Sequence, residues 1–480
     1  MVATANQLTT DQAQLDYLDA VFSQQRAAFK ASPYPDLKQR KQDLDTLKSI
    51  ILEYKDELAE AVNADFGCRS KDETLLAEIM VTLEGIKYNR SHVKKWMKPS
   101  KRHTSILFQP GSNRVEYQPK GVVGIMVPWN YPVQLALAPL AGALTAGNRA
   151  IIKMSEFTPK TNVVIKTMLA KAFPENKVAV VTGEAEVGAA FSAKHWDHLI
   201  FTGSTAVGRH VMAAAGKNLV PVTLELGGKS PAIVGSRADI KDAAECIVFG
   251  KSTNAGQTCI APDYVLCPAN RIDELKTEMA KAYATCFPTL RDNPDYTAII
   301  NDRQFARLQG VLSDAKTKGA QVTVLNPANE DFTGTRKIPL TVLTHITDDM
   351  TIAQDEIFGP LLPILTYNQL DEALDHIKER PRPLALYYFG PNRSEQDYVM
   401  KNTHAGGVSI NNTLVHLAQD DMPFGGVGDS GIGAYHGHEG FQTFSHAKSV
   451  HRRGLMNSSK FIYPPHGRLM HRLIYKLTLR

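Results

Sequence analysis

The sequence predicts an α/β fold built on two doubly wound parallel sheets, and three observations carry that prediction. Between Lys120 and Arg149 no charged residue occurs, and the stretch reads as a buried strand, a turn and a buried helix. It opens an alternation of short apolar runs with helix-length segments, the order that parallel βαβ units require. A second stretch of the same character occupies residues 230–411.

The elements follow in order. The first 100 residues look helical: in 43–63 Leu44, Leu47, Ile50, Ile51, Leu58 and Val62 recur near helical spacing, and in 75–96 Leu76, Ile79, Leu83, Ile86, Val93 and Trp96 do the same. Residues 122–127, 150–153, 178–182 and 198–201 are short apolar runs, as strands buried on both faces should be. Helices are expected at 132–146, 159–173 and 207–215. In the second stretch, strands are expected at 231–234, 264–266, 321–325 and 361–365, and helices at 272–284 and 305–315. Residues 457–480 read as a linker and a short basic amphipathic helix carrying Leu469, Leu473, Ile474 and Leu477.

Composition narrows the function classes. A chain of 480 residues, 43% hydrophobic and 21% charged, is ordinary for a globular protein of several domains. The net charge of +5 is uneven. No acid follows Glu439, and from Lys448 onward eight Lys and Arg accumulate, so a mildly acidic body carries a basic tail. Nucleic acid is therefore not an expected partner, whereas the tail suits peripheral contact with anionic lipid. The longest clean apolar run, 135–143, is far shorter than the roughly 20 residues of a membrane span. The five cysteines form no C-x-x-C pair, which speaks against a disulfide framework or a zinc site. The polar N-terminus lacks a signal-peptide core, so a cytoplasmic location is expected.

Two glycine patterns compete for a phosphate. Gly203-Ser-Thr-Ala-Val-Gly208 has P-loop spacing, but Arg209 and His210 stand where Lys and Ser/Thr would be needed. It does lie between a strand and a helix, so its N–H groups could cradle a dinucleotide pyrophosphate; an ordinary βα turn carries equal weight. The pattern from Gly426 to Gly431 follows no strand and reads as a glycine-rich surface loop.

Cys259 sits in Asn254-Ala-Gly-Gln-Thr-Cys259-Ile-Ala-Pro, where small neighbours admit a ligand close to the backbone. Alone, this loop fits a buried structural cysteine better than a nucleophile. Asn130, in Pro-Trp-Asn130-Tyr-Pro, offers an amide donor at a strand end. Glu225, before Leu-Gly-Gly-Lys, and Glu356, before Ile-Phe-Gly-Pro, offer carboxylates. Together these four would suffice for acyl-enzyme chemistry, although spacing cannot show that they converge. His195/His198 and His436/His438 lack completing ligands, so packing roles are expected and no metal.

Taken together, the motifs around Asn130, Gly203, Glu225, Cys259 and Glu356 resemble the aldehyde dehydrogenase superfamily, in its order, from about Leu37 to His451. Asn254 to Tyr264 and Pro423 to Gly437 resemble its class 3 branch. Met97-Lys-Pro99, Ala77-Glu-Ile-Met80 and Arg380 to Phe389 are most similar to bacterial coniferyl aldehyde dehydrogenases.

The resemblance implies NAD(P)-dependent oxidation of an aldehyde substrate to an acid. Cys259 would be the nucleophile, Asn130 and the Cys259 N–H the oxyanion donors. Glu225 would be the general base, with Glu356 its competitor. Cofactor contacts would come from Lys153 and Glu156 at the adenosine ribose, from Gly203, Ser204, Gly208 and Leu226, and from Glu356 and Phe358 near the nicotinamide. Glu156 favours NAD over NADP. Met154 departs from the Pro usual in the family.

The resemblance also implies four segments. Residues 1–100 and 119–225 would form the cofactor domain and 226–415 the catalytic domain. Residues 101–118 and 416–452 would form a β extension bridging a homodimer, and 453–480 a peripheral or gatekeeping tail. A CoA-acylating relative and a non-catalytic NAD-binding protein are the alternatives; the former usually lacks the Glu225 base.

Overall fold

A computed structural model describes residues 5–479; residues 1–4 and Arg480, assigned above to the first segment and the tail, lie outside the described residues. The expected fold class is the one observed. The first sheet runs in the order Gly431–Ile432, Val222–Glu225, His198–Thr202, Val122–Met126, Arg149–Lys153, Val178–Val181. All its neighbours are parallel except Gly431–Ile432, which adds an antiparallel edge. Helices Gln134–Ala146, Pro159–Ala172 and Thr205–Gly216 make the crossovers. The apolar runs formed strands because each is buried along its length, with a helix connecting it to the next.

The second sheet has seven strands, in the order Gln321–Val324, Thr341–Thr344, Leu361–Tyr367, Tyr264–Pro268, Pro231–Val234, Ala385–Phe389, Gly407–Ile410. Gln321–Val324 differs from the core strand its apolar residues suggested. It pairs antiparallel with Thr341–Thr344 at the sheet edge and is largely exposed. Among the described residues, five strands of these two sheets escaped the sequence analysis: Val222–Glu225, Thr341–Thr344, Ala385–Phe389, Gly407–Ile410 and Gly431–Ile432; the last was read as the end of a glycine-rich surface loop, but Gly431 is buried and pairs with Glu225. A third, antiparallel sheet joins Ser100–Arg102, Ser112–Pro119 and Ser445–Arg452. The helical N-terminal region holds Leu37–Phe66 and a π-helical segment, Leu75–Met80, running into the α-helix Val81–Trp96.

Strand register fixes where ligands can meet the first sheet. Met126 pairs with Lys153 on one side and Phe201 on the other, and Thr202 pairs with Glu225. The carboxyl ends of these strands therefore finish along one edge. The chain winds outward from Val122–Met126 through Arg149–Lys153 to Val178–Val181, then returns to the opposite side at His198–Thr202. Such a reversal opens a crevice at the carboxyl ends, where open α/β sheets bind ligands.

Candidate active site

Three strand ends build one wall. The loop after Val122–Met126 brings in Asn130, which is buried. The turn after His198–Thr202 supplies Gly203 and Ser204. At Gly203 a Cβ would stand 2.5 Å from the Phe201 ring, so only glycine fits. Ser204 caps the helix Thr205–Gly216, its side chain accepting from Val207 N–H at 3.4 Å. Glu225 is the last residue of its strand and is buried.

The opposite wall is the nucleophile loop. After the helix Ile240–Ser252, Asn254, Ala255 and Gly256 take φ of 50, 51 and 71°, three left-handed residues in succession. Two of them are not glycine, a strained arrangement that the surroundings must hold in place. Gln257 does this. Its Nε2 donates to the carbonyls of Asn254 (3.0 Å) and Ala298 (3.1 Å), and its Oε1 accepts from Ile300 N–H at 3.0 Å. Asn254 Nδ2 donates to the Asn130 carbonyl (3.0 Å) and the Gln257 carbonyl (3.1 Å). Asn130 Nδ2 donates to that same Gln257 carbonyl at 3.2 Å, leaving its second hydrogen for a ligand.

Two cavities meet between these walls. One, of about 250 Å³, is lined by Asn130, Gly203, Ser204, Gly227, Arg307, Glu356 and Phe358 among others. The second, of about 570 Å³, is mainly apolar, with Leu76, Met80, Leu135, Phe249 and Phe424 in its lining. Thr202, Glu225 and Cys259 line both. Phe358, at φ 49°, sets its ring edge-on to Trp129 with centroids 5.3 Å apart. A Cβ on Gly227 would stand 2.1 Å from a Glu356 carboxylate oxygen, so this glycine gives the carboxylate its place.

Burial sets the charge states. The Cys259 thiol is pushed up to about 12, by desolvation first and then by the charges of Glu356 and Glu225; its own N–H and that of Ile260 act in the opposite direction. Glu356 is raised to about 8 by desolvation and by Asp263, against the Gly228 N–H, Lys229 and Arg307. Glu225 is raised well above the usual carboxylate range by desolvation, and neither of its oxygens has a hydrogen-bond partner among the described residues. The resting site thus holds a protonated thiol, a Glu356 carboxyl whose proton affinity suits a base near neutral pH, and a Glu225 carboxyl whose proton affinity burial raises.

Asn130, Glu225, Cys259 and Glu356 therefore converge, together with Gly203, Ser204 and Phe358. The remaining expected residues lie apart. Gly208 is buried against Leu226, whose Cδ2 a Cβ there would meet at 2.6 Å, and Leu226 lines the apolar cavity rather than the smaller one. Lys153 lies farther along the same sheet edge and lines neither cavity. It is buried, donates from Nζ to the Met154 carbonyl at 2.8 Å, and has the charges of Glu156, Glu184 and Asp11 around it.

The sequence pattern of the aldehyde dehydrogenase family matches residues 3–450. The chain belongs to that family. It is 54% identical, over the full length of both chains, to a probable coniferyl aldehyde dehydrogenase of Pseudomonas aeruginosa. Among solved structures it resembles Staphylococcus aureus AldH in a substrate-bound state, at TM-score 0.91 and 39% identity over 96% of this chain and 99% of that one. It also resembles a Mycobacterium tuberculosis aldehyde dehydrogenase complexed with NAD+, at TM-score 0.82 and 30% identity over 91% of this chain and 90% of that one.

Aldehyde dehydrogenases work with NAD or NADP, and the smaller cavity of this dehydrogenase fits such a group. Gly203 and Gly227 line it, and Ser204 begins a helix whose free N–H groups suit a pyrophosphate. Gly203, Ser204, Glu356 and Phe358 would hold the cofactor there. Sequence reasoning gave no role to Gln257 and Asn254, nor to Arg69 and Glu78, which buttress Asn130. Only their residue types hinted at one, because their partners lie tens of residues away.

Proposed function

We propose that this dehydrogenase oxidises aromatic, coniferyl-type or medium- to long-chain aliphatic aldehydes to carboxylic acids through a thioester on Cys259. One observation carries the reading: Cys259 and Glu225 stand where the glycine-edged cavity meets the apolar one. A thiol reached from both sides can hold a carbonyl carbon between a hydride acceptor and an apolar substrate pocket.

Cys259 gives its proton to a cavity carboxylate, and its sulfur bonds to the carbonyl carbon while an electron pair moves onto oxygen. The free Asn130 Nδ2 hydrogen and the Cys259 N–H stabilise that oxyanion. A nicotinamide held in the smaller cavity would supply the acceptor for the hydride of this carbon, whose loss leaves a thioester on Cys259. Glu225 then takes a proton from water as the water oxygen attacks the thioester carbon. The C–S bond breaks with its electron pair on sulfur, Cys259 takes back the proton held by the cavity carboxylate, and the acid leaves. Glu225 is favoured as base because its oxygens are uncommitted, whereas Glu356 is engaged by the Gly228 N–H.

NAD is favoured over NADP, because Glu156, Glu184 and Asp11 surround Lys153 with negative charge that opposes a 2′-phosphate. The apolar lining and the relative's name support an aromatic substrate. The unpaired outer edge of Ser445–Arg452 suits strand pairing with a second copy, which supports a homodimer.

NADH formation with coniferaldehyde, benzaldehyde and octanal tests the reading. Coniferaldehyde should give the highest kcat/KM, by about tenfold, and Cys259→Ala should abolish turnover with every aldehyde. Turnover that survives that substitution overturns the mechanism.

A further inference from the structure

The oxyanion donor is held from outside both large sheets. Arg69 follows the helix Leu37–Phe66 and is fully buried. Its Nη1 donates to the Asn130 carbonyl at 2.9 Å. Its guanidinium stacks over Tyr131, the next residue, with Cζ 4.7 Å from the ring centroid. Its Nη2 lies 3.2 Å from the carboxylate of Glu78, which is also fully buried, in the π-helical segment Leu75–Met80. The other Glu78 oxygen accepts from the N–H groups of Val133 (2.8 Å) and Gln134 (3.1 Å), at the start of the helix Gln134–Ala146.

Arg69 and Glu78 thus fasten both ends of the segment 130–134. A buried guanidinium is costly unless its charge is matched and its donors are used. Here Nη1 is the hydrogen-bonded donor, and Glu78 and Glu73, the latter's carboxylate 3.5 Å from Arg69 Nε, face the guanidinium as ion-pair partners. No side chain of either large sheet is needed for this arrangement. The Asn130 amide also depends on its backbone for placement, because among the described residues its side chain makes one hydrogen bond, at 3.2 Å.

We infer that Arg69, anchored by Glu78, is a positioning residue that aims the Asn130 amide at the oxyanion. The inference rests on the role proposed above for Asn130. An amide displaced by about 1 Å would lose most of its contribution, because a misplacement of that size costs on the order of 100-fold in rate. Nucleophilicity at Cys259 should not depend on it, since Arg69 makes no contact with the thiol among the bonds described.

A double-mutant cycle with the full-length enzyme tests this, using Arg69→Met, Asn130→Ala and the pair. Arg69→Met should lower kcat roughly 10- to 100-fold with KM for aldehyde and NAD little changed. Alkylation of Cys259 by iodoacetamide should keep its rate. In the Asn130→Ala background the same substitution should cost less than about threefold, because the amide it aims is gone. If Arg69→Met does not fold, Arg69→Lys enters the same cycle, keeping the charge but losing the forked geometry. Equal losses in both backgrounds overturn the inference and leave the Asn130 role intact. An Asn130→Ala enzyme with full activity overturns the Asn130 role itself.

Discussion

At the scale of single residues, the two carboxyls make different predictions. A base works in its charged form, so activity limited by Glu356, raised to about 8, should climb as pH rises through 8. At pH 7 roughly one-tenth of it is ionised. Glu356→Gln should remove that limb from the kcat profile recorded between pH 6 and 9. Glu225→Gln should instead leave the first turnover intact and stall the second. Stopped-flow mixing would then show an NADH burst of about one per site, with steady-state turnover slowed about 100-fold. A burst in Glu356→Gln and none in Glu225→Gln would exchange the two roles. The same shift has a stability consequence. A carboxyl whose folded value stands above its unfolded value of 4.5 contributes stability below that value and loses it as pH rises through 8. The cofactor-free Glu356→Gln enzyme should therefore gain thermal stability over the parent, little at pH 5 and by about 2 °C or more at pH 9.

At the scale of elements, the nucleophile loop shows how much of the site the sequence could reveal. The residue types were readable: a cysteine after small polar residues, and glycines shortly after Glu225 and after Glu356. The support was not, because it is long-range. Gln257 holds the loop by bonds to residues 298 and 300, which no local pattern connects to it. The strand Val222–Glu225 was missed for a related reason. Its outward neighbour is the two-residue strand Gly431–Ile432, so partners distant in sequence complete its pairing. Segments whose own residues carry the pattern, such as the periodic Leu37–Phe66 and the fully apolar, fully buried Val122–Met126, were legible from periodicity and apolar runs alone. Gln257→Ala would strand the Ile300 N–H and two carbonyls in the interior, at a cost of about 3 kcal/mol. Without its latch, the left-handed turn at Asn254 to Gly256 should relax. The variant should lose kcat by more than tenfold and show faster proteolysis near residue 255, both read directly against the parent enzyme.

At the scale of the whole molecule, the tail decides between two kinds of control. Among the described residues no helix is long and apolar enough to cross a membrane. The segment Ser458–Ile462 packs beside Ile106–Phe108, next to the third sheet, and no tail residue lines either cavity around Cys259. Among the described residues the tail thus stands apart from both cavities, and a gatekeeping tail would act on the entrance of a second copy. What it does present is an exposed apolar set, Leu455, Leu469, Leu473 and Leu477, interleaved with Arg468, Arg472 and Lys476. That combination suits the surface of an anionic bilayer, where each cation contributes about 1 kcal/mol and the apolar face lies among the headgroups. The intact enzyme should sediment with vesicles containing anionic lipid at low salt and release as salt rises, because the attraction is screened. A chain ending at Arg452 should lose that partitioning while keeping its turnover of water-soluble benzaldehyde. If truncation instead changes KM for octanal and leaves vesicle binding untouched, the tail acts on a partner's cavity. If neither quantity moves, it has neither role.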